Sequence, residues 1–319
     1  MERPDHDLER SRNALDAAVA ALLKRQDNDG RWRDYELPVG TSDEWVTAFV
    51  AFALANAATS LNQPAAFSAA ERALSALMDD RTRSSGFGFN GSVDPDADST
   101  ATVVQLSRVL GVVPADDDIA FLLDHRRADG GFSTFKRDDC WGLSHPCVTP
   151  AVAMAFDDDQ LEKLRPSILR YLSATRSNDG SWPSYWWTNS AYATWYVLQL
   201  LSRLKISAGD LNPVTEPYRF TLTTAMESLL ALGISVTIGS REQRSELLST
   251  ALAQQGYDGL WPPSPTLVVT DWDCERPWDN PQGEIYEDVR GLFTTALAVR
   301  ILLDVVSSLS RSTPPIGSG

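Results

Sequence analysis

The sequence predicts an all-α protein of the (α/α)6-barrel type, a ring of helical hairpins around a central cavity. Three observations carry this prediction. Amphipathic helices end repeatedly in a Gly-aromatic loop, the helices after those loops are apolar and small-residue-rich all round, and strand signals are weak.

The loops come in chain order as Asn28-Asp29-Gly30-Arg31-Trp32, Ser85-Gly86-Phe87-Gly88-Phe89, Ala128-Asp129-Gly130-Gly131-Phe132, Asn178-Asp179-Gly180-Ser181-Trp182 and Asp258-Gly259-Leu260-Trp261. Taking Trp32, Phe89, Phe132, Trp182 and Trp261 as anchors, the steps are 57, 43, 50 and 79 residues, and the long last step leaves room for an extra helix over 220–232. Segments 8–26, 65–78, 119–125, 161–175 and 243–255 carry charge on one face and are expected to form the outer ring. Segments 45–58, 99–110, 147–156, 190–204 and 292–306 are expected to form the inner one. Most inner segments start with a Thr/Ser-Ala flavour, as in Thr47-Ala48, Thr100-Ala101 and Thr294-Thr295-Ala296. Leu267-Val268-Val269 is too short to count as a strand, and 262–265 and 277–283 read as Pro/Gly loops. Residues 1–306 are thus expected to form one barrel domain, with 307–319 a frayed Ser/Pro/Gly tail.

A net charge of −15 excludes the clustered basic surface that nucleic acid or an anionic membrane would need. No uninterrupted apolar run approaches the roughly 20 residues that span a bilayer. The first seven residues are polar and acidic, so the expected location is cytoplasmic. Three cysteines (Cys140, Cys147, Cys274) make no disulfide framework and are expected to be reduced and structural. The ten tryptophans lie mostly in or near the loops.

These residues resemble a known family. Gln26…Asp29-Gly30-Arg31-Trp32 and Gln255…Gly259-Leu260-Trp261 look like the Gln-and-Trp repeats of the squalene–hopene cyclases and other class II terpene cyclases. Asp94-Pro95-Asp96-Ala97-Asp98-Ser99-Thr100-Ala101 is similar to their DxDD(T/S)A acid motif, and Asn178-Asp179-Gly180-Ser181-Trp182…Trp187…Asn189…Tyr192 to their DGSW…W…NY loop. Ser99 stands at the motif's fourth position in place of its last aspartate, a departure shared with drimane-forming members. The resemblance implies a terpenoid cyclase toroid that protonates an alkene of a linear isoprenoid, of farnesyl or geranylgeranyl type, and cyclises it through carbocations. Asp98 would be the acid, oriented by Asp96 and by the hydroxyls of Ser99 and Thr100.

The chemistry fits such residues. Carbon is a poor base, so its proton donor must be a carboxylic acid kept neutral near pH 7. Alternating carboxylates (Asp94, Asp96, Asp98) that are buried together raise one another's pKa. Asp-Ser-Thr ahead of a small-residue helix is equally an N-cap sequence, and the two readings are compatible. Cation stabilisation requires aromatic faces. Candidates are Trp45, Phe89, Trp141, Tyr185, Trp186, Trp187, Tyr192 and Trp195, whereas Trp32, Trp182 and Trp261 are assigned to stitching the repeats together.

Protonation itself needs no cofactor. A diphosphate substrate would need Mg²⁺, for which Glu287-Asp288 is a candidate, or a cation such as Arg290, Lys136 or Arg137. His145 lies near the acid-bearing helix in sequence. The expected partner is a small isoprenoid substrate, with a homo-oligomer or partner domain closing the cavity. Two other readings stand beside this one. The first is a protein prenyltransferase β-like zinc enzyme, using Asp139-Cys140 and Asp271-Trp272-Asp273-Cys274, although His145 comes before Asp273-Cys274 instead of after it. The second is a helical scaffold that keeps the barrel without chemistry.

Overall fold

The computed structural model describes residues 4–79, 81, 85–212, 214–216, 218–279 and 282–312. Six helices form its inner ring: α2 (Trp45–Leu61), α4 (Ala97–Val109), α6 (Thr149–Ala155), α8 (Ala191–Arg203), α9 (Ala225–Ile238) and α11 (Leu292–Ser312). Each packs on the next, and α11 returns to α2, so the ring closes. Outside it lie α1 (Pro4–Leu23) on α11, α3 (Pro64–Asp79) on α2, α5 (Asp116–Asp124) on α4, α7 (Asp158–Ala174) on α6 and α10 (Arg241–Leu252) on α9. The extra helix expected over 220–232 is α9, shifted towards the C-terminus, and it is an inner helix. Among the described residues, the chain between α8 and α9 is irregular and holds a short 3-10 turn (Ala208–Asp210).

Small residues explain the inner ring. Ala48, Ala51, Ala53, Ala55 and Ala57 of α2 are fully buried, which lets neighbouring helices approach on every side. The loops between outer and inner helices repeat one hydrogen-bond pattern. The backbone N–H groups of Trp32, Phe87, Phe132, Trp182 and Trp261 donate to the hydroxyls of Thr47, Thr100, Thr149, Thr194 and Thr295 on the following inner helix, at 2.9–3.0 Å. The indole N–H of Trp32, Trp182 and Trp261 in turn reaches the carbonyl ten residues earlier, of Leu22, Leu172 and Ala251. This is the physical content of the Thr-Ala starts. It also makes Phe87, not Phe89, the anchor of the second repeat. Gln26 and Gln255 stitch adjacent units as expected, each donating to its own loop and to a neighbouring helix, at Ala69 O and Ala14 O. Gly130 turns its loop at φ +100°, and a Cβ there would lie 2.4 Å from Ser167 O.

Two antiparallel hairpins depart from the purely helical expectation. β1 (Asp34–Leu37) pairs with β2 (Gly40–Ser42) ahead of α2. Between α10 and α11, β3 (Pro265–Val269) pairs with β4 (Glu284–Glu287). Leu267-Val268-Val269 is therefore a strand, and Pro265 belongs to it instead of to a loop. Its stability comes from pairing, not length: Val268 N donates to Trp186 O, and Leu267 bridges to Trp187. Within the segment expected as a loop over 277–283, residues 280 and 281 lie outside the described ones. Helix α11 runs to Ser312, so a tail beginning at 307 is corrected; residues 313–319 lie outside the described residues. Over Leu292–Arg311 this helix is long and apolar enough to cross a bilayer by composition, and here it serves as an inner stave packed against α1, α2 and α9.

Candidate active site

One end of the barrel opens into a cavity of about 620 Å³ beneath the two hairpins. At its acidic wall, Asp96 is the N-cap of α4. It is extended (φ −126°, ψ 161°), and its Oδ1 accepts from Ser99 N at 2.7 Å and its Oδ2 from Ser99 Oγ at 2.9 Å. Asp98 follows in the first helical turn, shares a hydrogen bond with Asp96, and also lines the cavity. Its Oδ1 is buried and has no hydrogen-bond partner. The cap residue and the candidate acid thus lie in one turn.

Burial pushes both carboxyls above the ordinary carboxylate range, Asp96 well above, with the charge of Asp98 adding to the rise. Two negative charges cannot share this space, so the pair keeps one proton between its two carboxyls. The two Ser99 donors favour the anion on Asp96 and oppose its rise. The Oδ1 of Asp98 has no such donors, while the bond between the two carboxyls raises Asp96 and lowers Asp98. Asp94 is exposed at the rim, so the coupling expected of three aspartates is confined to two.

Thr100 does not orient the acid. Its hydroxyl is the repeat clamp, bonded to Phe87 N, Phe87 O and Asp96 O, and it is fully buried.

The aromatic walls fall into two groups. One wall has Trp45, Phe89 and Trp187, with Trp45 6.2 Å from Phe89 and 6.3 Å from Trp187 between ring centroids. Phe135, Trp141 and Trp186 form a second wall, Trp141 standing edge-on to Trp186 at 5.4 Å. Three predicted rings stand outside the cavity wall. Tyr192 stacks behind Trp187 at 4.0 Å, Tyr185 stacks on His145 at 3.8 Å, and Trp195 is buried beside Gly233 with the Arg300 guanidinium 4.7 Å from its ring.

Of the expected cations, Arg137 alone lines the cavity. It lies over Trp141 at 5.1 Å and pairs with Asp139 at 2.7 Å. Lys136 is exposed and paired with Asp124. Arg290 is exposed and does not line the cavity; its backbone N–H caps onto Asp34. Glu287-Asp288 does not fit Mg²⁺, because both oxygens of buried Asp288 accept backbone N–H groups, from Ser264 and Thr294, while Glu287 is exposed.

His145 does not touch the acid. Its Nε2–H donates to Cys140 O, and its Nδ1 accepts from Thr134 Oγ1, which itself accepts from Trp186 Nε1. Burial lowers its pKa to about 3, so it is a neutral positioning group behind the wall. The buried Cys147 thiol, close to Asp98, is pushed up to about 12 and stays unreactive. Cys140 N donates to Trp272 O, which brings the two Asp-Cys elements side by side. Among the described residues, however, no three His, Cys, Asp or Glu side chains converge as a metal site, so the zinc alternative has no ligand set.

Sequence reasoning missed the apolar and phenolic lining supplied by the hairpins: Leu37, Pro38 and Val39 from the first, Leu267, Val269 and Tyr286 from the second. Val39 and Leu267 are ordinary residues whose position depends wholly on strand pairing. The only available signal was the short β-branched run itself.

No family model matches the chain, and no curated protein matches it significantly. Solved structures do. The apo type II terpene cyclase MstE from Scytonema superposes with a TM-score of 0.80 at 24% identity, over 94% of this chain and 99% of that one. A variant of MstE in complex with geranylgeranyl dihydroxybenzoate gives 0.78 at 25% identity, over 95% and 99%. ent-Copalyl diphosphate synthase from Streptomyces platensis gives 0.52 at 18% identity, over 81% of this chain and 50% of that one. The chain shares their fold.

Proposed function

We propose that this chain, which has the fold of the class II terpene cyclases, starts the cyclisation of a linear isoprenoid by protonating an alkene from Asp98. The observation that carries the proposal is a buried carboxyl oxygen of Asp98 with no hydrogen-bond partner, on the wall of an aromatic cavity, beside an Asp96 that accepts two hydrogen bonds from Ser99. A scaffold without chemistry gives that oxygen no use, and an unpaired buried polar atom costs about 1–3 kcal/mol.

In this reading the terminal alkene lies against Asp98. Its π electrons form a C–H bond with the carboxyl proton and leave a tertiary cation, while Asp98 becomes the anion. The faces of Trp45, Phe89 and Trp187 stabilise the moving positive charge at about 0.5–2 kcal/mol per well-placed ring without reacting with it. The apolar lining keeps out water, which would end the cascade early. Arg137, between Trp141 and Asp139, holds the polar end of the substrate.

A farnesyl- or geranylgeranyl-type chain is the proposed substrate class. Support for the longer chain comes from MstE, whose variant was solved with geranylgeranyl dihydroxybenzoate. Protonation uses Asp98, Asp96 and Ser99 alone, and no step is assigned to Mg²⁺. The test is incubation with farnesyl and geranylgeranyl diphosphates and geranylgeranyl dihydroxybenzoate, followed by product analysis. A cyclised product that depends on Asp98 is expected; its absence from all three contradicts the reading.

A further inference from the structure

Thr134, two residues past the Phe132 anchor, brings a buried hydroxyl to the cavity wall. The direction of its hydrogen bonds follows from partners that can play only one part. His145 Nε2 faces Cys140 O at 3.0 Å, and a carbonyl can only accept, so that nitrogen carries the proton. Burial keeps the imidazole neutral, which leaves Nδ1 as an acceptor. The Thr134 hydroxyl therefore donates to His145 Nδ1 at 3.0 Å and accepts from Trp186 Nε1, a donor only, at 2.7 Å. The Thr134 carbonyl accepts from Ala97 N at 2.9 Å, in the turn that carries Asp96 and Asp98. One residue thus holds the acid turn through its backbone and an aromatic wall through its side chain.

Trp186 depends on that side-chain bond for its orientation. Its ring stands at 69–87° to those of Phe135, Trp141, His145 and Tyr185. An indole turned over in the same slot would still meet rings on those sides, but its N–H would lose its acceptor, at a cost of about 1–3 kcal/mol.

We infer that Thr134 is a positioning residue for the cyclisation: through Ala97 N and Trp186 Nε1 it fixes the acid turn of α4 relative to the Trp186 ring on the cavity wall. The inference rests on the cyclase reading above. A ring stabilises a cation only where the charge develops, and a misplacement of about 1 Å can cost about 10²-fold in rate. His145 contributes by taking the Thr134 proton on the side away from Trp186, which leaves an oxygen lone pair for the indole N–H.

The experiment compares wild type with Thr134→Val, Thr134→Ser and His145→Phe on geranylgeranyl dihydroxybenzoate and geranylgeranyl diphosphate. It measures kcat, KM and the distribution of cyclised products, with folding checked by circular dichroism. Thr134→Val keeps the side-chain shape and removes the hydroxyl. It should lower kcat at least about tenfold and change the product distribution, with KM within about twofold of wild type. Thr134→Ser should restore the wild-type distribution. His145→Phe keeps a ring against Tyr185 and should change the distribution in the same direction, to a smaller extent. A merely structural role would lower the yield of folded protein and leave the distribution as it is. If wild type cyclises and the distribution is unchanged in Thr134→Val and His145→Phe, the inference is overturned and the cyclase reading stands. Should Thr134→Val fail to fold, His145→Phe decides by the same criterion. No cyclised product from wild type overturns the cyclase reading and this inference with it.

Discussion

Asp96 and Asp98 are chemically alike and two residues apart, yet they differ in what donates to them. Ser99 supplies two donors to Asp96 and none to the Oδ1 of Asp98. Asp98→Asn should therefore lower kcat by about 10²–10⁴-fold, the range for removal of a general acid. Stability should be unchanged or higher, because one of two mutually repelling buried acids is gone; steady-state kinetics and denaturant unfolding on the same preparation check both. Ser99→Ala removes the hydroxyl donor from Asp96 and should lower kcat. It should also move the alkaline limb of the pH–rate profile upward, since the anion loses a stabilising partner. In wild type that limb is a loss of activity as pH rises through the raised pKa of the pair, because only the protonated form is active. Phe89→Leu keeps an apolar side chain on the wall but removes its quadrupole. A loss of about 0.5–2 kcal/mol corresponds to a kcat about 2- to 30-fold lower with KM nearly constant. The acid motif was legible at this scale because Asp, Ser and Thr at fixed spacing are visible in the sequence. Thr100 was misread because its partner, the backbone of Phe87, depends on loop geometry that spacing does not reveal.

At the scale of elements, the Thr clamps tie each loop to its inner helix. Thr47→Val keeps the shape and leaves the buried N–H of Trp32 without an acceptor, which should cost about 1–3 kcal/mol in denaturant unfolding. The start of α11 is held by a second buried acid pair. Asp34 accepts from Arg290 N and Leu292 N, and Asp288 from Ser264 N and Thr294 N. Burial and the charge of Asp34 push Asp288 up to about 7 from its ordinary 3.8. Between those values the folded chain holds a proton that the unfolded chain has lost. Its contribution to stability is thus full below 3.8 and declines as pH rises towards about 7. Asp288→Asn should flatten that slope in unfolding measured from pH 4 to 8, at the expense of a lower acid-side plateau, since the amide can accept only one of the two N–H groups. The second hairpin was illegible because the five residues of β3, starting with a proline, carry little local propensity, and β3 is held by long-range pairing with β4, Trp186 and Trp187.

For the whole molecule, repetition made the ring legible: the same loop chemistry, read five times, fixes where outer helices hand over to inner ones. The cavity was less legible than the ring. Asp96 and Asp98 were motif positions, and five of the eight predicted aromatics line the cavity. Tyr192 and Trp195, equally aromatic and equally close in sequence, pack behind the wall because the rotation of α8 decides which side a ring takes, and Tyr185 because its loop lays it on His145. Arg137 was one of several surface-type cations until the fold placed it over Trp141. The central claim is that a proton from Asp98, not departure of a leaving group, starts the reaction. The most direct test is to run the reaction in D₂O with wild type and with Asp98→Asn and to locate deuterium in the product by NMR and mass spectrometry. The account predicts one non-exchangeable deuterium per cyclised product, on the former terminal alkene, and no product from Asp98→Asn. A cyclised product without deuterium, or one formed at wild-type rate by Asp98→Asn, would contradict it.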